Sequence, residues 1–171
     1  MTPPAPLPRP VPLDRRHDLS AFDCGAPALD EYLRKYAWQN HQNRSARTYV
    51  TTRDNRVVGY FTLAAGSVRR DDAPPRVAKG QGNYPLPIIL LARLAVDRTE
   101  QGKGLGAALL KDALGRAAQA ADIVGCRAVL VHAKDQQAQA FYRKYGFDPA
   151  PVDEFHLYLL MKDIKANQEK D

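Results

Sequence analysis

Ala95-Val96-Asp97-Arg98-Thr99-Glu100-Gln101-Gly102-Lys103-Gly104-Leu105-Gly106 leaves an apolar run and enters an amphipathic one through three glycines at alternate positions. Upstream, Ile88–Val96 (IILLARLAV), apolar but for Arg93, looks like a strand buried on both faces. Downstream, Leu105, Leu109, Leu110, Leu114, Ala117, Ala118 and Ala121 recur at helical spacing, predicting a helix over about residues 104–124. A helix start presents up to four unpaired N–H donors and about half a positive charge, and glycine removes the side chains that would keep an anion away. The segment therefore suits a diphosphate. It also suits a plain glycine turn, and Gly102, Gly104 and Ala107 satisfy a dinucleotide-type G-x-G-x-x-A. That last reading fails on context, because Asp122, the acid at the required distance, falls at a helix end instead of a strand tip. No Walker pattern is present.

Working outward, Arg127–Ala133 (RAVLVHA) reads as a second buried strand, Gln136–Tyr145 as a short helix ended by Gly146, and Glu154–Met161 as a last strand. Toward the N-terminus, Arg47–Arg53 and Arg56–Val68 flank the turn signal Asp54-Asn55 and read as a hairpin. An amphipathic helix spans about Pro27–Gln42, and the segment 69–87 is a long irregular connection. The order, a meander followed by β-α-β-α-β, predicts an α/β fold with a mixed sheet and helices on both faces. One domain, residues 13–162, is expected for 171 residues. Prolines at 3, 4, 6, 8, 10 and 12 make residues 1–12 an extended arm, disordered or laid on the surface as a strap, and the polar tail 163–171 is expected to fray.

Composition narrows the function classes. No apolar run approaches the roughly 20 residues of a membrane span, and the proline-rich start lacks a secretory apolar core, so a cytoplasmic location is expected. Cys24 and Cys126 lack metal or redox spacing, and His17, His41, His132 and His156 are scattered; reduced thiols and no metal follow. The net charge is +6. Residues 1–93 hold 14 Lys+Arg against 8 Asp+Glu and residues 94–171 hold 11 against 11, so the excess lies in the first part. Such asymmetry fits a surface that meets a polyanion as well as a simply basic soluble protein.

Gln101-Gly102-Lys103-Gly104-Leu105-Gly106 resembles the Q/R-x-x-G-x-G/A signature of the GNAT acetyltransferases, and Ala140-Phe141-Tyr142-Arg143-Lys144-Tyr145-Gly146-Phe147 resembles that family's A-x-x-F-Y-x-x-x-G-F segment. The resemblance implies acetyl-CoA as cofactor. Its pyrophosphate would lie on Gln101, Gly102, Lys103, Gly104, Leu105 and Gly106, and its pantetheine arm along Leu94, Ala95 and Val96. Further contacts would come from Ala133, Lys134, Asp135, Ala138, Phe141 and Tyr142. Tyr142 takes the family's general-acid position, since a phenol with pKa of about 10 stays protonated at neutral pH and a thiolate can accept its proton. A backbone N–H of the Leu94–Val96 strand is the expected oxyanion donor. No general base stands out, Asp135 and Glu154 being as readily surface acids.

Leu19-Ser20-Ala21-Phe22-Asp23-Cys24-Gly25, Leu29-Asp30-Glu31-Tyr32-Leu33, Ala46-Arg47-Thr48, Val57–Val68 and Leu90–Val96 are similar to the GNAT toxins of bacterial toxin-antitoxin pairs, a likeness running from about Leu13 to Lys162. This implies acetylation of the α-amino group of aminoacyl-tRNA and arrest of translation. It also implies a homodimer and a ribbon-helix-helix antitoxin through which operator DNA is bound. An α-amino group near pKa ~7.7–8.0 needs little base catalysis, in keeping with the missing base. Arg34, Lys35, Arg44, Arg69, Arg70, Arg76, Lys79 and Arg93 are candidate phosphate contacts. A peptide or small-amine acetyltransferase and a non-catalytic acyl-CoA-binding regulatory module share the cofactor residues and remain as alternatives.

Overall fold

Asp54 and Asn55, both at positive φ (52° and 65°), close a hairpin between β2 (Arg47–Arg53) and β3 (Arg56–Val68) in the computed structural model, which describes residues 6–169. Paired positive φ matches the right-handed twist of antiparallel strands, so this turn sets the register Arg53↔Arg56. The chain divides into two compact units: residues up to Leu63 with Arg93–Asp112, and Ala64–Ala92 with Ala113 onward. Hydrogen-bonded strand neighbours follow the order β1-β2-β3-β4-β5-β7-β6, with ranges given below.

In the first unit, the helix expected there runs without a break through α1 (Pro27–Glu31), a π-helical turn (Tyr32–Tyr36) and α2 (Ala37–Asn43). They bury Tyr32, Leu33 and Ala37 against Val50, Val57 and Tyr60, and Phe22 meets the Tyr60 ring edge-on at 5.5 Å. On the other face of the hairpin lies the start of α4 (Leu105–Ala121). A Cβ placed on Gly59 would stand 3.1 Å from Leu109 Cδ1 and 3.2 Å from Leu105 Cδ2, so the helix start is seated closely on β3 and any side chain here makes the leucines give way.

The proline-rich arm is a strap, not a disordered segment, over its described residues; residues 1–5 lie outside them. β1 (Val11–Pro12) pairs with Val50 and Tyr49, and the Thr51 hydroxyl donates to the Pro8 carbonyl at 2.8 Å. Proline cannot donate along a ladder, but an edge strand needs donors on one side only.

β4 (Leu86–Val96) begins in the second unit, where it pairs in parallel with β5 (Ala128–His132) over Ile88↔Ala128 to Leu91↔Val131. β5 pairs antiparallel with β7 (His156–Leu160), and the two-residue β6 (Asp148–Pro149), too short to leave a sequence signal, closes the edge. The irregular connection contains α3 (Pro75–Ala78), whose Val77 and Ala78 join Leu130, Tyr158 and Leu160 in the core. Over its described residues the polar tail does not fray, residues 170–171 lying outside them: α6 (Met161–Glu169) buries Met161 and Ile164, and Lys165 pairs with Asp122. A helix with two buried apolar residues is held by packing that the polar composition hid.

Gly59→Val should lower stability by about 1–3 kcal/mol, because a branched side chain at this distance must push Leu105 and Leu109 out of place. Thermal melts should show the midpoint falling by several degrees; an unchanged midpoint contradicts the tight seating.

Candidate active site

The glycine loop is held from behind by a buried carboxylate. Asp97, 2% exposed, accepts from Asp23 N (2.9 Å) on one oxygen and from Thr99 N (3.0 Å) and Thr99 Oγ1 (2.6 Å) on the other, with Arg56 at 3.7 Å. Its own N–H donates to the Val58 carbonyl at 2.8 Å, tying the end of β4 to β3. Burial alone would raise the Asp97 pKa; the hydrogen bonds from Thr99 and Asp23, with Arg56, outweigh it and hold the group below the usual carboxylate range. Glu100 is buried too. The hydrogen bond from Arg53 at 2.7 Å is the main reason that its pKa is lowered.

These contacts leave the front of the loop bare. Gln101 Nε2 donates back to the carbonyls of Cys24 and Val96, both at 2.9 Å, and Lys103 Nζ to Thr99 O at 3.1 Å, with Glu100 at 3.6 Å. Gly102 and Gly104 adopt φ of 78° and 85°, which side chains other than glycine rarely tolerate, and a Cβ on either would meet nothing within 4 Å. The first turn of α4 carries no acidic residue. Exposed backbone, unpaired N–H groups at a helix start and no competing carboxylate fit the diphosphate of a CoA-type cofactor.

In the second unit, α5 (Gln136–Lys144) begins at Asp135, whose carboxylate accepts from Ala138 N at 2.8 Å. Asp135 is thus committed to capping the helix. Gln139 Nε2 donates to the Glu154 carbonyl at 2.8 Å, fixing the next loop to the same helix. Tyr142 is 8% exposed, set between Phe141 (ring centroids 5.1 Å) and Phe147 (5.4 Å). Burial pushes its phenol up to about 12. Its hydroxyl makes no hydrogen bond within the described residues.

The candidate phosphate contacts divide between the units, Arg34, Lys35, Arg44 and Arg93 in the first and Arg69, Arg70, Arg76 and Lys79 in the second. Several are engaged internally. Arg34 donates to the Phe22 carbonyl at 2.7 Å, Arg70 to the Gln81 carbonyl at 2.9 Å, and Arg76 stands 3.1 Å from Asp163. Lys35 pairs with Glu31 and Arg69 with Asp71, both on the surface. Arg93 lies 3.7 Å over the Tyr32 ring, a stack that the helical spacing of Tyr32 and Tyr36 could not reveal. Arg44 and Lys79 have no carboxylate partner among the described residues. Sequence reasoning also missed a histidine pair on β5 and β7: His132 and His156 stack with centroids 4.0 Å apart. Two scattered histidines give no spacing signal; only the register His132↔His156 brings them together. Among the described residues no three His, Cys, Asp or Glu cluster as a metal site, and no helix is long and apolar enough to cross a membrane.

Comparison with known proteins gives the following. The model of the family described as "Acetyltransferase (GNAT) family" matches residues 13–147. A "tRNA-acetylating toxin" from Mycobacterium tuberculosis is 54% identical over 149 residues, 87% of this chain and 89% of that protein. A structure of AtaT complexed with acetyl-methionyl-tRNA superimposes with a TM-score of 0.83 at 32% identity, covering 90% of this chain and 93% of that one. A tyrosine-to-phenylalanine mutant of AtaT, bound to the C-terminus of the antitoxin AtaR and acetyl-CoA, gives 0.79 at 30% identity, covering 92% and 95%.

Asp97→Asn should destabilise the protein by about 1–3 kcal/mol at pH 7, since an amide cannot accept from both Asp23 and Thr99. The Asp97 pKa is depressed on folding, so its contribution is complete above the unfolded value of about 3.9 and is lost as pH falls through the folded one. Urea midpoints should differ between the two proteins by a constant amount from pH 5 to 8 and converge below about pH 4; a gap unchanged at pH 3 contradicts the assignment.

Proposed function

The chain belongs to the GNAT acetyltransferase family, and from that premise we propose that it uses acetyl-CoA to acetylate the α-amino group of aminoacyl-tRNA, thereby stopping translation as a cytoplasmic toxin. The observation that carries the reading is the 54% identity, over nearly nine-tenths of the chain, to a tRNA-acetylating toxin. The residues agree with it. In this reading the acetyltransferase machinery occupies residues 13–162.

Acetyl-CoA supplies an activated acyl group as a thioester. Gln101, Gly102, Lys103, Gly104, Leu105 and Gly106 bind its diphosphate through backbone donors, with Gln101 and Lys103 spent on bracing the loop. Leu94, Ala95 and Val96 offer strand backbone to the pantetheine, and one N–H there receives developing negative charge on the acyl oxygen. Ala133, Lys134, Ala138 and Phe141 complete the contacts, with Asp135 ordering the helix that carries them. Tyr142 keeps its proton at Oη, because burial raises its pKa, and delivers it to the departing sulfur. The aromatic neighbours Phe141 and Phe147 exclude water from that proton.

For tRNA, Arg44 and Lys79 serve as phosphate contacts, since neither has a carboxylate to leave first; Arg93, Arg69, Arg70 and Lys35 add weaker ones. Arg34 and Arg76 serve the fold more than the ligand. An antitoxin of ribbon-helix-helix type, operator DNA bound through it and a homodimeric toxin complete the proposal, in line with AtaT solved with AtaR and with DNA.

Labelled acetyl-CoA offered to charged tRNA, uncharged tRNA, peptides and polyamines should label charged tRNA only. Tyr142→Phe should lower the turnover by about 10²–10⁴-fold while cofactor affinity is kept. Label on peptide alone overturns the acceptor, and full turnover by Tyr142→Phe overturns the general acid. Binding of charged tRNA should weaken steeply between 50 and 200 mM salt, and less steeply for the Arg44→Ala, Lys79→Ala double variant, if these two residues hold phosphates; equal salt slopes contradict that role.

A further inference from the structure

Within the second unit, the ladder between β4 and β5 ends at Leu91↔Val131, one residue short of His132. His132 therefore stands where β5 parts from its parallel neighbour. Beside it opens a cavity of about 500 Å³, a size suited to a small-molecule moiety. Its floor is apolar, from Val68, Leu130 and Tyr158, while Asp72, Asp153 and Arg69 supply charge. Alternation along the strands puts Leu130, His132, His156 and Tyr158 on one face, opposite Val129 and Leu159.

The two imidazoles differ in surroundings. His156 Nε2 is 3.4 Å from Asp153 Oδ2, whereas among the described residues His132 has no carboxylate within salt-bridge distance. Rings stacked at 4.0 Å with an interplanar angle of 17° cannot comfortably carry two positive charges. Resting on the reading of the protein as an aminoacyl acetyltransferase, we propose that this cavity receives the aminoacyl end of the acceptor and that His132 removes the proton from its ammonium group. One N–H bond of the ammonium breaks, its electron pair stays on the amine as the nucleophilic lone pair, and the proton passes to an imidazole nitrogen and then to water.

The charged groups that line the cavity divide between attracting the acceptor and tuning the ring. Asp72, from the connection after β3, and Asp153, from the loop before β7, attract an ammonium ion to the cavity; Arg69 disfavours a proton left on the ring; Tyr158 is neutral at physiological pH. Burial first, and then His156, hold the His132 pKa below the ordinary histidine value, with Asp153 opposing. The imidazole is thus unprotonated and able to accept at neutral pH.

The test has a binding arm and a kinetic arm. Methionine methyl ester added to the full-length protein without cofactor should shift the His132 ring resonances saturably in heteronuclear NMR, and N-acetylmethionine methyl ester, lacking the ammonium, should not. In His156→Phe, which keeps a stacked ring and removes its charge, the His132 titration should move up. His132→Gln, on a side chain that the core does not enclose, should lower kcat/KM for the ester and for charged tRNA by up to about tenfold at pH 7, the ceiling set by an ammonium group of pKa ~7.7–8.0, with the deficit shrinking as pH rises and acetyl-CoA affinity unchanged. A wild-type pH profile in His132→Gln, or silence of the His132 resonances toward the ester, overturns the inference while leaving the acetyltransferase reading intact. Ester binding at His132 in a protein that acetylates no aminoacyl acceptor supports the cavity and overturns the acetyltransferase reading instead.

Discussion

Asp97 is the point on which the first unit is organised. A carboxylate taken out of water must replace its hydration with donors, and this one finds three N–H and O–H groups and a guanidinium. The partners come from separate parts of the chain: Asp23 precedes α1, Arg56 belongs to β3, and Thr99 belongs to the turn itself. Satisfying one buried charge therefore fixes where β4 ends and how the next residues must travel. Glu100 repeats the arrangement with Arg53 from the hairpin. By the time the chain reaches Gln101 its two buried carboxylates are satisfied from behind, and glycine backbone is left exposed at a helix start.

That division of labour explains why the loop can be bare and still ordered. Its rigidity comes from behind, through Asp97, Glu100 and the two bonds of the Gln101 amide, so the front needs no side chain of its own. Gly59 extends the logic to the helix: without a side chain there, Leu105 and Leu109 settle closely on β3, and this sets the position from which the N–H groups of α4 point. The second unit solves a different problem. It buries a phenol between two aromatic rings, raising its pKa, and so keeps a proton available across the physiological range.

Much of this was legible in the residues. The apolar run Ile88–Val96, the three glycines and the Leu105–Ala121 stripe gave strand, loop and helix, because each is a local pattern with one dominant period. Asp54-Asn55 marked its hairpin for the same reason. The π-helical turn at Tyr32–Tyr36 was invisible, since one extra residue per turn hardly alters the side-chain period over so short a stretch. The ordered strap and α6 were missed because proline and polar composition describe intrinsic preference, whereas Val11, Met161 and Ile164 act through tertiary contact. At the candidate site, Gln101–Gly106 and Tyr142 were singled out by their resemblance to the GNAT signatures, which the spacing of the glycines alone left open. The bracing role of Asp97, the cap at Asp135, the engagement of Arg34 and Arg76, and the His132–His156 stack depend on residues far apart in sequence and could not.

The claim on which the account rests is that the helix start at Gly102–Gly106 binds a diphosphate through backbone donors. Calorimetric titration of the wild-type protein and Gly104→Val with acetyl-CoA and with acetylpantetheine, which lacks the diphosphate, tests it most directly. The account predicts that wild type binds acetyl-CoA far more tightly than acetylpantetheine, and that Gly104→Val loses most of that difference while treating acetylpantetheine as wild type does. Equal affinity of wild type for the two ligands, or undiminished acetyl-CoA binding by Gly104→Val, would contradict it.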